Sequence, residues 1–319
     1  MNLQVELAPR GKRPLVLANP VMTASGTFSF GLESAQAFDL GRLGAIVCKS
    51  VSRRPRKGNR QPRMVETPAG MLNSIGLQNP GVRVLIRELA PVWATWTVPV
   101  IVSIVGESIE DFASLAESLE AVPGVSGLEL NISCPNVAGG LDFGRDPQAA
   151  AALTAAVRQR TTLPILTKLT PNVGDIVEVA TAVAAAGADA ISLINTFVGM
   201  AIDVKRRRPV LSTVSGGLSG PAIKPLALAM VYAVAQEVAI PIVGIGGIAT
   251  AEDALEFILA GATAVEVGTA TFRNPRAPFE VLEGIQAFMR QEGVEELAQL
   301  RGAALPASLR GRRSSVSIP

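Results

Sequence analysis

The chain has 319 residues, 48% of them apolar and 18% charged, with a net charge of +2, 4% aromatics and no histidine. Near-neutral charge and scarce aromatics leave no case for nucleic acid or an anionic membrane, and the missing histidine removes the commonest general base and metal ligand together. No apolar run reaches the ~18 residues of a membrane span, the N-terminal stretch MNLQVELAPRGKRP lacks a secretory core, and two cysteines, Cys48 and Cys134, make no disulfide framework, all of which fits the cytoplasm.

In chain order, β-branched apolar runs at 15–23, 45–50, 99–105, 127–133, 164–169, 190–195, 241–248 and 264–269 alternate with helical stretches. The helical stretches lie at 33–40, 82–93, 109–121, 147–159, 173–186, 222–238, 251–259 and 278–291 and are Ala-rich or amphipathic. Continuous apolar runs are what parallel strands need when both faces are covered. Eight of them alternating with helices predict an α/β fold, a (β/α)₈ TIM barrel with a parallel eight-stranded wall. Asp146-Pro147 reads as a helix cap followed by a first-turn proline, and Gly187 and Gly261 as helix-ending glycines. Long loops follow strands two and six, at 51–81 and 197–220, and loops of that length tend to be functional. Residues 1–300 are expected to form one domain, and 301–319, with Arg310, Arg312, Arg313 and a run of serines, a frayed C-terminal tail.

In such a barrel the strand C-termini build the active site. Here they present Ser25-Gly26, Lys49-Ser50, Ser103, Asn131 with Cys134, Lys168, Asn195-Thr196, Gly246-Gly247 and Gly268-Thr269. Every strand closes on polar residues or glycine. The phrase GIGGIA at 244–249 matches a dinucleotide fingerprint, with Glu266 near the spacing of a ribose-binding acid. A dinucleotide fold needs several further strands, however, and one follows. A phosphate site after strands seven and eight accounts better for Gly246, Gly247, Gly268 and Thr269; the bland reading is tight turns alone.

Lys49 and Lys168 end buried strands, where an ammonium needs a ligand anion, a flavin, a Schiff base or a salt bridge. Cys48, inside a strand, reads as a small buried hydrophobe. Cys134 sits among Asn131, Ser133, Pro135 and Asn136, and with histidine absent it is the best base available. Asn73, Asn131, Asn136 and Asn195 offer amides that suit a planar ligand with alternating C=O and N–H groups; singly, each reads as a turn residue. The basic runs at 53–60 and 205–209 are by default solvated loop segments, the alternative being a docking surface for a partner subunit or an acidic substrate. No metal site is expected, and two distant cysteines cannot hold an iron–sulfur cluster.

Taken together, ASGTF, VCKSV, NSIGLQNPG, ELNISCPN, TKLTPNV, the NT..GM.ID pattern at 195–203, GGLSGPAIKP, GIGGI and VGTA resemble dihydroorotate dehydrogenases, nearly to residue 293. The resemblance implies bound FMN, one per chain, on Ser25, Lys49, Ser50, Ser103, Asn131, Lys168, Ile194, Gly220, Gly246, Gly247, Gly268 and Thr269. Ser103 departs from the asparagine of many relatives. The resemblance puts the pyrimidine on Lys49, Asn73, Ser74, Ile75, Gly76, Leu77, Asn131, Asn136, Asn195 and Thr196. It makes Cys134 the base that takes a proton from carbon 5 of dihydroorotate while hydride leaves carbon 6 for the flavin. Its loop is expected to close over substrate. Cysteine rather than serine resembles the soluble class, and NT..GM.ID with GGLSGPAIKP its NAD-linked type. That type implies a smaller partner subunit carrying FAD and a [2Fe–2S] cluster, in a heterotetramer.

Competing expectations are a fumarate-linked homodimeric enzyme, a Schiff-base aldolase using Lys168, a non-catalytic docking scaffold, and a tRNA-modifying flavin barrel that the charge disfavours.

Overall fold

The computed structural model describes residues 1–133 and 143–310. Its centre is a closed, wholly parallel barrel: β1 (Val21–Thr23), β2 (Ala45–Val47), β3 (Val100–Ile104), β4 (Gly127–Asn131), β5 (Ile165–Leu169), β6 (Ala190–Leu193), β7 (Ile242–Ile245) and β8 (Ala264–Val267). Each strand pairs with its sequence neighbours, and β8 closes onto β1 through Glu266 opposite Met22. The eight expected strands and their order are thus present.

Side chains alternate across this wall, as the pleat requires. Ile46, Val102, Leu130, Leu169, Ile191 and Val265 point outward into the main core, shared with the helices. Met22, Ala45, Ile101, Leu166, Val243 and Ala264 point inward and form a second, separate core. That inner core is closed from below by a short N-terminal hairpin, Val5–Glu6 with Val16–Leu17, which contributes Leu7, Leu15 and Leu17. The expected run at 15–23 is therefore two strands, broken at Asn19-Pro20. Pro20 lacks the N–H a strand needs, and the Asn19 side chain caps the N–H of Val21 at 3.1 Å.

The surrounding helices are α1 (Leu32–Ala35), α2 (residues 82–93), α3 (Ile109–Leu119), α4 (Pro147–Arg160), α5 (Ile176–Ala185), α6 (Lys224–Glu237), α7 (Ala251–Leu259) and α8 (Ala277–Gln291). Their starts are written in the sequence: Ser108, Asp146, Asp175 and Thr250 each accept a first-turn N–H. Gly187 and Gly261 take left-handed conformations after α5 and α7, as expected. The first helix is shorter than the stretch 33–40, because Asp39 accepts from the Gly41 N–H and starts a separate 3₁₀ turn. Helix α2 contains a π-turn over Leu85–Leu89. None of the described helices is long and apolar enough to cross a membrane.

The two long connections do emerge at one face, but they are not structureless. Met64–Thr67 and Gly70–Asn73 from the first join Phe197–Met200 and Ser215–Ser219 from the second in a four-stranded antiparallel sheet over the barrel mouth. A small hairpin, Ile202–Asp203 with Arg208–Pro209, projects beyond it. Past residue 300, Leu305 is buried, and the N–H groups of Gly302 and Ala304 bond to the carbonyls of Ile258 and Leu259 on α7.

Candidate active site

The polar strand ends converge at the mouth. Ser50, just past β2, shares a hydrogen bond with Ser103 on β3 (2.8 Å) and accepts one from Asn131 on β4 (3.2 Å). Asn131 in turn accepts from Asn195 (3.3 Å), whose own Oδ1 takes the N–H of Thr196 (2.8 Å). Ser103 therefore faces Ser50 and anchors one end of this chain of amides and hydroxyls. Asn172 donates to the Thr196 carbonyl at 3.0 Å and fixes its far end.

The sheet from the two long loops covers one side of this row. Asn73 donates weakly to the Gly217 carbonyl (3.4 Å), and a Cβ at Gly217 would lie 2.1 Å from the Thr196 hydroxyl, so only glycine lets the strands approach so closely. Asn73 and Thr196, over a hundred residues apart, are thereby brought together. Between them and the next turn, Ser74 Oγ is buried with no partner among the described residues, an unsatisfied polar atom on the expected substrate loop. Ile75 and Gly76 follow, stitched to Asn59, and Leu77 packs on the core.

Lys49 lies half-buried beside Gly26, and no carboxylate pairs with it among the described residues. Burial, and then the Arg63 guanidinium nearby, hold its pKa below the usual lysine range. Arg63 is aimed by the Asn59 carbonyl (3.3 Å) and Gln78 (2.6 Å). Two cations converging without an anion describe a receptor for one. Arg63 was missed in sequence because it lies just past the basic run at 53–60, in a long loop with no local pattern to mark it.

Lys168 has the opposite surroundings. Its Nζ lies 3.3 Å from Glu266 and 3.5 Å from Glu129, both fully buried in the barrel, and 3.1 Å from Ser25 Oγ. The carboxylates, not the burial that opposes them, decide its raised pKa. The salt-bridge reading of Lys168 is thus realised, and Glu266, considered above as a ribose-binding acid, is inside the barrel instead. Period two along GLELN puts Glu129 on the face of Asn131, a signal that attention to strand ends alone overlooked.

Glycines form the remaining corner. Among the described residues, nothing accepts from the N–H groups of Gly247, Gly268 and Thr269. A Cβ at Gly247 would meet Lys224 Cβ at 2.7 Å and the Gly220 carbonyl at 2.9 Å. Gly246 packs on Ala227 and Ile194, and Thr269 Oγ1 donates to Ser219 at 2.8 Å. Lys224 is consumed by Asp253 (2.7 Å) and Glu256 (3.0 Å), so the free donors here are backbone N–H groups, as a phosphate nest uses. A phosphate corner, a polar row for a ring, and an unpaired cation pair together fit a phosphorylated ring cofactor beside an anionic substrate. Cys134 and Asn136 lie outside the described residues. Cys48 points outward from β2, fully buried, and burial pushes its thiol up to about 12, which excludes it as a base at neutral pH.

A family model described as dihydroorotate dehydrogenase matches residues 13–289. A protein of Geotalea uraniireducens (strain Rf4) is 53% identical over 95% of this chain and 98% of its own length. One of Trichlorobacter lovleyi is 55% identical over 91% and 95%, and one of Desulforudis audaxviator 54% over 91% and 95%. All three carry the name dihydroorotate dehydrogenase B (NAD(+)), catalytic subunit.

Proposed function

The chain belongs to the dihydroorotate dehydrogenase family, and from that premise we propose that it oxidises dihydroorotate to orotate in pyrimidine synthesis, as a catalytic subunit passing electrons to NAD⁺ through a partner. The observation that carries this reading is the Lys49–Arg63 pair, unmatched by any described carboxylate, beside the row Ser103–Ser50–Asn131–Asn195.

Bound FMN supplies the acceptor for the hydride that leaves carbon 6 of the substrate. Ser25, Lys49, Ser50, Ser103, Asn131, Lys168 and Ile194 would surround its ring. The backbone of Gly220, Gly246, Gly247, Gly268 and Thr269 would take its phosphate. Lys49 meets the substrate's negative charge, and Asn73 to Leu77, Asn131, Asn136, Asn195 and Thr196 orient its carbonyl and N–H groups. Preorganised donors of this kind stabilise charge as it develops, which is where they contribute most. Cys134, as thiolate, receives the proton from carbon 5.

Nothing in the described residues offers a second redox centre, so the partner is read as the carrier of FAD and a [2Fe–2S] cluster, in a cytoplasmic heterotetramer. A Schiff-base aldolase is disfavoured by Lys168 itself: such chemistry needs a neutral amine, and the buried carboxyls of Glu129 and Glu266 around it raise its pKa instead.

The test is anaerobic. Dihydroorotate should bleach the yellow purified chain, and NAD⁺ should restore the colour once the partner is added. Cys134→Ala should slow bleaching by about 10²–10⁴-fold with orotate still bound, the usual worth of a general base. Re-oxidation by fumarate without a partner would move the assignment to the homodimeric enzymes; a colourless chain that takes up no FMN would end it.

A further inference from the structure

The middle of the barrel carries a charged layer where its neighbours below are hydrocarbon. Glu129 on β4, Lys168 on β5, Ser192 on β6 and Glu266 on β8 all point inward, one level above Ile101, Leu166, Val243 and Ala264. Lys168 Nζ reaches both carboxyls through their Oε2 atoms, and Ser192 donates to Glu129 Oε2 at 3.1 Å. Among the described residues, no donor reaches the Oε1 atoms of Glu129 and Glu266. With every group ionised the layer would hold one ammonium against two carboxylates, a surplus negative charge sealed from water.

Such a surplus is costly in a medium that solvates charge poorly. Two carboxylates that share one site are relieved when one keeps its proton. Geometry says which. Glu129 has the ammonium at 3.5 Å and also accepts from the Ser192 hydroxyl at 3.1 Å, whereas Glu266 accepts from the ammonium, at 3.3 Å, alone.

We propose that Glu266 is a neutral acid at physiological pH, so that Glu129, Lys168 and Glu266 form a unit without net charge beneath the ring site. Its role is positioning: it acts through Lys168, which Ser25 ties to the mouth. Burial first, and then the charge of Glu129, raise the Glu266 pKa well above the ordinary carboxylate value, in the same direction as the geometry. Among the described residues, no other charged group contacts this layer. Its consequence rests on the FMN reading: a neutral unit does not oppose electrons arriving on the ring above it, whereas a net anion would.

Two measurements decide it. An infrared band of a protonated carboxyl, sensitive to D₂O, should be present in the wild-type protein at neutral pH and vanish in Glu266→Gln. In FMN-loaded protein, Glu266→Gln should leave the flavin midpoint potential nearly unchanged, since it replaces one neutral group with another. The double variant Glu129→Gln, Glu266→Gln leaves the ammonium uncompensated and should favour the reduced flavin at least tenfold, about 30 mV for a two-electron couple, whereas in Glu129→Gln alone Glu266 is free to ionise in its place. Equal shifts in Glu266→Gln and in the double variant, a band that survives Glu266→Gln, or a wild type without the band at neutral pH would each overturn the proposal. Failure of the wild type to bind FMN would instead sink the cofactor reading, and the infrared result, readable without cofactor, would still place the proton.

Discussion

Two lysines at the barrel mouth show how little a residue's type fixes its chemistry. Lys168 is sealed among two carboxyls and a hydroxyl, while Lys49 shares its surroundings with another cation. Because the Lys49 pKa is lowered in the free protein, an anionic ligand that pairs with it must raise it again. Orotate affinity should therefore be full below the free-state Lys49 pKa and fall up to tenfold per pH unit above it, until the bound-state pKa is passed. Lys49→Arg should flatten that slope, because a guanidinium does not titrate in this range; equilibrium titration across pH checks both. The polar strand ends were legible in sequence because each follows an apolar run. Arg63 and Glu129 were not: one lies in a loop whose fold depends on a distant partner, and the other sits in mid-strand, where a charge looks out of place until its neighbours are known.

At the level of elements, the caps were the most legible feature, since a helix start needs a particular side chain at a particular place. Thr250 and Asp253 bond reciprocally at the head of α7, and Asp253 also binds Lys224 at the head of α6, so one carboxylate pins two helices. At the opposite end of the barrel, Glu120 joins α3 to the turn after α4. Burial alone would raise its pKa, but the hydroxyls of Thr161 and Thr162, the Thr162 N–H and Arg13 hold it at about 2. A depressed carboxyl contributes stability above its unfolded pKa and loses it as pH falls toward the folded one. Glu120→Gln should therefore lower the denaturation midpoint at pH 7 and flatten its decline below about pH 4.5, which urea titrations at several pH values would reveal. The sheet over the mouth was not legible. Its strands are short, carry Gly and polar residues, and come from segments far apart in sequence, so no local period announces them.

Over the whole molecule, the barrel divides its labour between its ends. The hairpin below packs Leu7, Leu15 and Leu17 into the inner core; the mouth above carries the proposed site. Leu17→Ala, at a fully buried position, should cost about 2–5 kcal/mol of stability with orotate and flavin binding unchanged, whereas Lys49→Ala should weaken ligand binding and leave the thermal midpoint nearly where it was. Calorimetry and ligand titration on the two variants separate these effects. The hairpin at Ile202–Asp203 and Arg208–Pro209 pairs with no barrel strand among the described residues, and its tip carries Val204, 83% exposed, ahead of four consecutive basic residues, 205–208. Trypsin should find that tip first. The severed halves should stay together, because Asn73 on one piece still meets Gly217 on the other and the barrel wall runs unbroken from β6 to β7 across the cut. Continuity of the polypeptide is dispensable there, and the two fragments could in principle be produced as separate chains that find each other.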